Sequence, residues 1–194
     1  MRSIHPEVIA KVTLKPEEFC YSIYLPIKVD RGMSGVRVPQ NLHWVLPLLT
    51  HVDPLDALDY KYWYLTVKHM WSGSMINRPG WHIDGFGSYD INYIWSDQNP
   101  TEFSIGNYEL SDNHEESLIQ MESQSFDKEV WRPDLNTLVR LKGREVHRCA
   151  EVSEDSLRTF VKLSCSNDVY NLKGNATNPE FNVLCEHQDR GNSR

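Results

Sequence analysis

The sequence predicts a mainly β fold in which short antiparallel strands form a closed double sheet of the jelly-roll kind, with a few flanking helices. Two observations lead to this prediction. Segments rich in aromatic and β-branched residues recur along the chain, and turn-forming residues separate them. The candidate metal ligands lie on segments that are not neighbours in the chain, and a barrel of this kind can bring such strands together around an open mouth. The whole chain, residues 1–194, fits a single domain.

The first third of the chain, residues 1–59, is predicted to be a mixed flank of the barrel. A proline near the first turn and two acidic residues predict a short helix at Lys15–Phe19. Asp30–Gly35 has the composition of a turn. The apolar run Leu42–Leu49 contains a proline, so its pattern leaves helix and strand equally open.

Residues 60–165 are predicted to form the barrel core, because most of the strand-like segments fall there. Aromatic and β-branched residues dominate the earlier segments, and apolar residues between turns mark the later ones. The predicted strands are Tyr60–Trp71, Ile91–Trp95, Glu102–Ile105, Thr137–Leu141, Glu145–Cys149 and Leu157–Leu163.

Two polar segments interrupt or follow this core. Residues 107–130 form an acidic insertion, within which Glu115–Gln124 is predicted to be a surface helix. The insertion is either a lid over the mouth or a solvated loop, and the sequence leaves both open. Residues 166–194 are polar and rich in asparagine, and they are predicted to be a tail whose last ten residues fray.

Charge and cysteine content narrow the functional classes. The chain has 20 basic and 27 acidic residues, a net charge of −7, and no basic cluster, which disfavours nucleic acid as a partner but leaves a local groove open. The four cysteines are far apart and favour a reducing compartment over a zinc knuckle or a dense disulfide framework. No signal segment and no apolar run of about 18 residues occurs, so a cytoplasmic protein without a membrane partner is expected.

The triplet His82-Ile83-Asp84 and the distant His147 are the candidate metal ligands. Side chains alternate along a strand, so positions 82 and 84 point to the same side and can share one ion. His147 completes the set only if the fold brings its segment alongside. Two histidines and one carboxylate bind Fe(II) on one face and leave the opposite face open. Arg158 follows His147 by 11 residues in another apolar strand and could hold an acidic co-substrate.

The order of these residues resembles that of the iron(II)- and 2-oxoglutarate-dependent dioxygenases, whose fold is a double-stranded β-helix, a jelly-roll or cupin-like barrel. The resemblance rests on two parts of the sequence. One is the run from Trp81 to Gly85, and the other is an apolar strand, a glycine turn, Val146-His147, a loop and then Arg158. It covers roughly residues 60–165, and the first third of the chain is not part of it.

The resemblance implies a role for each residue of the set. His82, Asp84 and His147 would be the iron ligands of the catalytic centre, and Arg158 would clamp the distal carboxylate of 2-oxoglutarate in a bidentate pair. The oxoacid would chelate the iron through its 1-carboxylate and keto oxygen and leave one position for O2. Its decarboxylation to succinate provides the oxidant that abstracts hydrogen from a C–H bond. Hydroxylation of a small molecule or a modest-sized acceptor is the usual outcome.

Two positions usually help to hold the oxoacid in this family. One departs from the family pattern in this chain, and the other cannot be assigned to a single residue. Phe160 stands two residues after the arginine, where Ser or Thr is common, so one hydrogen bond to the oxoacid is missing. A Tyr or Lys from a neighbouring strand usually helps to hold the co-substrate. Tyr93 is our choice for this role, and Tyr64 and Lys68 are the alternatives.

The substrate is not indicated by the sequence. Asp84 argues against a halogenase, because halogenation in this family needs the carboxylate position for halide. Arg78 and Trp81 border the expected mouth and are candidate substrate contacts. The oligomeric state is not indicated either.

Two other functional classes remain open. A cupin-type metalloenzyme would use the same barrel and ligands without 2-oxoglutarate, so it would not need Arg158. A non-catalytic barrel that serves as a binding module would bind no iron and would tolerate the loss of His82.

Overall fold

The mainly β prediction is confirmed, and each strand predicted in the core corresponds to an observed strand. The computed structural model describes residues 1–32, 34–71, 79–150, 156–181 and 188. The strands of the described residues are β1 (Arg2–Ser3), β2 (Glu7–Lys11), β3 (Tyr21–Lys28), β4 (Tyr62–Trp71), β5 (Ile91–Ser96), β6 (Glu102–Asn107), β7 (Glu129–Trp131), β8 (Thr137–Leu141), β9 (Val146–Arg148) and β10 (Leu157–Ser166). The helices are a 3-10 helix at Gln40–Val45, α1 (Leu46–Leu49), α2 (Pro54–Asp59) and α3 (His114–Gln124).

The strands form two antiparallel sheets, an arrangement compatible with a β-sandwich. The larger sheet has six strands in the order β2-β8-β5-β10-β4-β3. The smaller sheet has the order β1-β6-β7, and β9 also pairs with β6. The longest pairing joins β10 to β4, from Leu157 opposite Trp71 to Ser166 opposite Tyr62.

Side chains that alternate along β10 face the hydrophobic core on one side of the strand and a cavity on the other side. Val161, Leu163 and Cys165 are buried in the main apolar cluster, which also contains side chains from the helices of the first third. Arg158 and Lys162 belong to the other face of the same strand and line the cavity. Since side chains alternate with a period of two, one strand supplies both the core and the cavity wall.

The first third of the chain is part of both sheets rather than a flank. Strand β1 pairs with β6 in the smaller sheet, whereas β2 and β3 are the edge strands of the larger sheet. The predicted helix at Lys15–Phe19 is wrong, because this segment contains no helix and Phe19 is 74% exposed. A five-residue helix has too few hydrogen bonds to form without tertiary packing. The undecided run Leu42–Leu49 is helical, and its proline lies in the first turn of α1.

The acidic insertion contains the predicted helix, and this helix is packed against the rest of the protein. Helix α3 begins after Asn113, whose side-chain oxygen accepts a hydrogen bond from the Glu116 amide over 3.1 Å. Met121 is fully buried in a second apolar cluster that includes Trp81. The insertion is therefore more than a solvated loop. No helix in the described ranges is long and apolar enough to cross a membrane.

The segment that follows β10 packs against the larger sheet. The Asn178 side-chain amide donates to the carbonyl oxygens of Pro26 and Arg37, both over 2.9 Å. Tyr170, Leu172 and Asn175 line the cavity. The predicted fraying of the last ten residues falls, except for residue 188, outside the described residues.

Candidate metal centre

The two candidate histidine ligands face each other across a pair of backbone hydrogen bonds. His147 lies in the centre of β9, and His82 lies in extended chain just before a turn. The His82 amide donates to the His147 carbonyl over 2.9 Å, and the His147 amide donates to the His82 carbonyl over 2.8 Å. This antiparallel bridge places the two ring centroids 4.5 Å apart. The structure thus brings the distant histidine alongside the triplet.

Both rings are oriented through Nδ1. His82 Nδ1 lies 3.0 Å from the Gly80 carbonyl oxygen, and His147 Nδ1 lies 2.8 Å from the Glu145 carbonyl oxygen. A carbonyl oxygen only accepts, so Nδ1 carries the proton in both rings. In the neutral ring, the form that binds a metal, the lone pair is then on Nε2, and a backbone hydrogen bond at the other nitrogen is typical of a metal-binding histidine.

Asp84 completes the cluster from the turn that follows His82. One donor atom from each of His82, Asp84 and His147 lies within 4.8 Å of the others. The turn requires Gly85, because its φ is +66° and a Cβ at this position would lie 2.5 Å from the Ser88 hydroxyl oxygen. Two imidazoles and one carboxylate could hold a divalent metal ion, and this donor set suits Fe(II).

A lysine lies beside Asp84 in the cluster. Lys162 Nζ is 3.2 Å from Asp84 Oδ2, and the same oxygen is 3.7 Å from His147 Nε2. Burial favours the neutral carboxyl, but Lys162 and the two histidines outweigh burial and hold the pKa of Asp84 well below its usual range. Burial lowers the pKa of Lys162, yet Asp84 and Tyr24 together raise it more, so the net shift is upward. Asp84 is therefore an ionised donor.

A cavity of about 700 Å³ opens over the cluster, which is a volume suited to small molecules. Its walls come from both sheets, from the turn at Asp84 and from the first residue of α3. The charged lysine, arginine and acidic side chains that line it, among the described residues, are Lys68, Arg148, Arg158, Lys162 and Asp84. The cavity is therefore cationic, although the chain as a whole is acidic.

Arg158 is a buried cation without a carboxylate partner among the described residues. Only 3% of its surface is exposed. Its Nε donates to the Gln98 carbonyl oxygen over 3.2 Å, and its Nη2 donates to the Thr101 hydroxyl over 3.4 Å. Burial lowers the pKa of Arg158, but a guanidinium stays charged at neutral pH. A buried charge without a counter-ion is costly, so this position favours an anionic ligand.

Arg158 Nη1 also lies 3.7 Å from Cys149 Sγ, and two further neighbours are Phe160 and Lys68. The Phe160 ring lies under the guanidinium, with its centroid 4.9 Å from Arg158 Cζ. Lys68 is opposite Phe160 in the register of β4 and β10, and its side chain lines the cavity. Burial lowers the pKa of Lys68, and the positive charges of Lys162 and Arg158 lower it further. Thr101 places a hydroxyl beside the Arg158 guanidinium.

Tyr93 does not belong to this site, which corrects the sequence-based choice. It is fully buried in the main apolar cluster, and its hydroxyl donates to Asp56 over 2.5 Å. Burial raises the pKa of Tyr93, and Asp56 raises it further. Tyr93 pairs with Leu163 in the register of β5 and β10, so it lies on the core face of the sheet. Lys68 is the alternative that the structure places in the cavity.

Of the two candidate substrate contacts, Trp81 is not among the described residues that line the cavity. Trp81 is buried against α3, and the Arg148 guanidinium covers its ring at 4.5 Å from the centroid. Trp81 therefore acts through packing, and Arg148 is the side chain that lines the cavity. Arg78 lies outside the described residues.

Lys162, Tyr24 and His114 are among the cavity residues that the sequence does not single out. Lys162 is a single lysine in an apolar strand, and only the period-two alternation with Arg158 could have placed it on the same face. Tyr24 reaches the cavity through an irregularity of β3 that no sequence signal marks. His114 lines the mouth as the first residue of α3, and the predicted helix began one residue later.

The chain was compared with models of protein families, with curated proteins and with solved structures, and none of the three comparisons gives a match. The geometry and chemistry of the site are therefore the basis on which a function can be assigned.

Proposed function

We propose that this protein is a non-haem Fe(II)- and 2-oxoglutarate-dependent oxygenase that oxidises a C–H bond of a small or modest-sized acceptor, most simply by hydroxylation. One observation carries the proposal: the cluster of His82, Asp84 and His147 shares a cavity with the buried cation Arg158. A metal-binding cluster alone fits many proteins. A cluster beside an anion site fits a metal that works together with an anionic co-substrate.

The donor set is consistent with a resident iron. His82 and His147 would bind through Nε2, and Asp84 would bind through its carboxylate. Bound iron would supply the activation of O2, coupled to decarboxylation of 2-oxoglutarate to succinate and to oxidation of the acceptor. The hydrogen bonds at Nδ1 would keep both rings in the coordinating orientation.

The cationic face of the cavity supports 2-oxoglutarate as the co-substrate. Lys68 and Arg158 add positive charge beyond the Lys162–Asp84 pair, and this excess suits an oxoacid with two carboxylates. Arg158 would hold the distal carboxylate, and Lys68, rather than Tyr93, would be the second residue that helps to hold the co-substrate. The planar guanidinium also fixes the orientation of a carboxylate, which a single ammonium group does not.

The remaining walls would position the acceptor and limit access of water. Ile94, Phe160 and Leu172 are apolar lining residues, and Tyr21 and His114 add polar groups. An apolar wall near a reactive centre keeps water from competing with the substrate. The mixed lining is consistent with a small organic acceptor.

The fold that accompanies this function is the double-stranded β-helix, which we propose as the finer description of the two sheets. Support comes from the site itself. His147 is on β9, paired with the smaller sheet, whereas Arg158 is on β10 of the larger sheet, and both line one cavity. A barrel of this kind holds its ligands between its two sheets.

The experiment is an anaerobic titration of the Fe(II)-loaded protein with 2-oxoglutarate, followed by the weak visible charge-transfer band of the chelate. We expect a saturable band in the wild type. Arg158→Met should bind the oxoacid about 100-fold more weakly, because a buried bidentate pair is lost. Arg158→Lys is the matched control, and it should retain part of this affinity because the positive charge remains.

The same samples separate the competing functions. The absence of a band at saturating iron and oxoacid would overturn the proposal. Iron binding without a band, together with activity that survives Arg158→Ala, would indicate a metalloenzyme that does not use 2-oxoglutarate. A protein that binds no iron, and whose properties survive His82→Ala, would indicate a binding module. Succinate release with a panel of acceptors would then identify the substrate class.

A further inference from the structure

Four tyrosines form a continuous series of ring contacts that starts in the cavity. Tyr24 packs edge-on against Tyr170, with ring centroids 5.0 Å apart. Tyr170 stacks on Tyr64 at 4.7 Å, and Tyr64 stacks on Tyr62 at 5.9 Å. Tyr24 and Tyr170 line the cavity, whereas Tyr62 is a partly exposed residue at the start of β4. The tyrosine series thus connects the cavity with the protein surface.

The inner end of the tyrosine series lies next to the candidate metal centre. The Tyr24 hydroxyl is 3.5 Å from Lys162 Nζ, and this ammonium group also contacts Asp84. Tyr24 has a φ of 51°, in a bulge of β3 where the pairing register shifts. A bulky residue in this left-handed region is strained, and such strain is common where a side chain is directed to a functional site. The bulge therefore directs Tyr24 to the centre.

Hydroxyl groups distinguish the tyrosine series from simple aromatic packing. The Tyr170 hydroxyl donates to the Asp90 carboxylate, and the Tyr64 hydroxyl donates to the Asp168 carbonyl oxygen over 3.1 Å. Phenylalanine would give the same ring contacts without these bonds. A phenol that donates to a carboxylate can release its proton to that acceptor when the ring loses an electron. Tyr170 therefore has a local proton acceptor in the middle of the series.

We propose that the tyrosine series is an electron-transfer path that removes oxidising equivalents from the metal centre when no acceptor substrate consumes them. The path rests on the proposed function, since the oxidant arises from O2 at the iron site. Ring contacts of this length allow single-electron steps between neighbouring tyrosines. The path would protect the cavity walls, and Tyr24 would be the first side chain damaged when the path is interrupted.

The transfers balance for each oxidising equivalent. One electron passes from Tyr62 through Tyr64, Tyr170 and Tyr24 to the metal centre, which is reduced by one electron. While Tyr170 is oxidised, its phenolic proton rests on Asp90, and the proton returns when the electron from Tyr64 arrives. Tyr24 and Tyr64 each give up one electron and regain one from the next tyrosine, so their phenolic protons stay in place. Tyr62 finally gives one electron to Tyr64 and its phenolic proton to solvent, and the reduced metal centre takes up one proton from solvent. A reductant of the ascorbate class then restores Tyr62 by donating a hydrogen atom.

The test is electron paramagnetic resonance after O2 is added to the protein loaded with Fe(II) and 2-oxoglutarate, without any acceptor. We expect a tyrosyl radical in the wild type that is lost or displaced in Tyr62→Phe. Tyr170→Phe keeps the ring but interrupts the path, so the surface radical should fall at least about fivefold. Oxygenated Tyr24 peptide, measured by mass spectrometry, should increase by a similar factor. Tyr64→Phe is a second interruption, in case Tyr170→Phe folds poorly.

Two controls make the outcome decisive. Tyr89→Phe changes a tyrosine that is 93% exposed and outside the tyrosine series, and it should behave like the wild type.

In a second arm, hydrogen peroxide replaces O2 and 2-oxoglutarate as the source of oxidant at the bound iron. If peroxide generates a tyrosyl radical at Tyr62 in a protein that shows no chelate band with 2-oxoglutarate, the proposed function is contradicted but the electron-transfer path is supported. A chelate band with equal radical yield and equal Tyr24 damage in the wild type and in Tyr170→Phe would overturn the path alone. A chain that binds no iron in a direct titration would overturn both.

Discussion

Charge at the candidate metal centre is balanced by single residues that the fold brings together. The Asp84 carboxylate lies between the Lys162 ammonium group and the two histidines. Lys162 is nearly buried, so its charge is compensated mainly by this one carboxylate. A metal ion at the cluster would compete with Lys162 for the carboxylate of Asp84. Lys162 can therefore stabilise the metal-free protein and also weaken the binding of a cation.

Replacement of Lys162 by methionine tests this balance. We expect Lys162→Met to lower the free energy of unfolding of the metal-free protein by about 2 kcal/mol, because Asp84 loses its partner in a largely buried pair. A divalent ion such as Co(II) should restore stability more in this variant than in the wild type, since the ion replaces the missing charge. Urea denaturation with and without Co(II) measures both effects. Lys162→Arg retains the charge and is the control. Equal stabilisation by Co(II) in the wild type and in Lys162→Met would show that Lys162 and a metal ion do not compete for Asp84.

The site residues that the sequence could predict depend on local spacing. The spacing of two between His82 and Asp84 predicts that both side chains face one side, and His147 and Arg158 follow in chain order. The structure brings the two side chains together, although Asp84 lies in a turn and not in a strand. Tyr93 was misplaced because the pairing register decides which face of a strand is buried. A shift of one residue reverses every side chain, and a single sequence does not fix that register. Lys162 could not be assigned for the same reason.

Helix α3 links the second apolar cluster to the mouth of the cavity. Met121 anchors the helix, and His114 at its first turn lines the mouth. The acidic composition of this insertion predicts a helix, but composition does not show which side of the helix is buried. The buried Met121 and Ser117 became apparent only from the packing.

The cap of this helix provides a test at the level of one element. Asn113→Ala should lower the free energy of unfolding by about 1 kcal/mol, because the hydrogen bond to the Glu116 amide is lost. Asn113→Ser should retain nearly all of the stability, since serine is an equally good cap. Thermal or urea denaturation measures the difference. Equal stability of the alanine and serine variants would show that the cap does not hold the helix in place.

The molecule as a whole combines a chain of net charge −7 with a cavity lined by several cations. This segregation creates a local positive potential that can attract small anions. The net charge alone disfavours anionic macromolecules as binding partners, and it gives no indication that the protein contains a cationic cavity. The mainly β class was predictable because strand composition recurs along the chain. The three N-terminal strands were not predicted, since β1 is very short and β3 contains a bulge and a proline.

A buried network joins the first third of the chain to the core strands. The Asp56 carboxylate in α2 accepts hydrogen bonds from Tyr93 over 2.5 Å and from Arg140 over 2.5 and 2.8 Å. Asp56→Ala should lower the free energy of unfolding by about 3 kcal/mol, because it leaves the largely buried Arg140 charge without its main partner. Tyr93→Phe removes one hydrogen bond and should cost about 1 kcal/mol. Denaturation curves that put the two variants at the same stability would contradict the assignment of Asp56 as the central partner.

The reciprocal hydrogen bonds between His82 and His147 have a consequence for solution measurements. Each amide proton is held by the other residue's carbonyl, so a single local opening exposes both protons together. Their hydrogen–deuterium exchange rates should therefore be similar, and any ion that bridges the two imidazoles should slow both rates by the same factor. Two backbone amides thus provide an internal gauge of metal occupancy that requires neither turnover nor a chromophore.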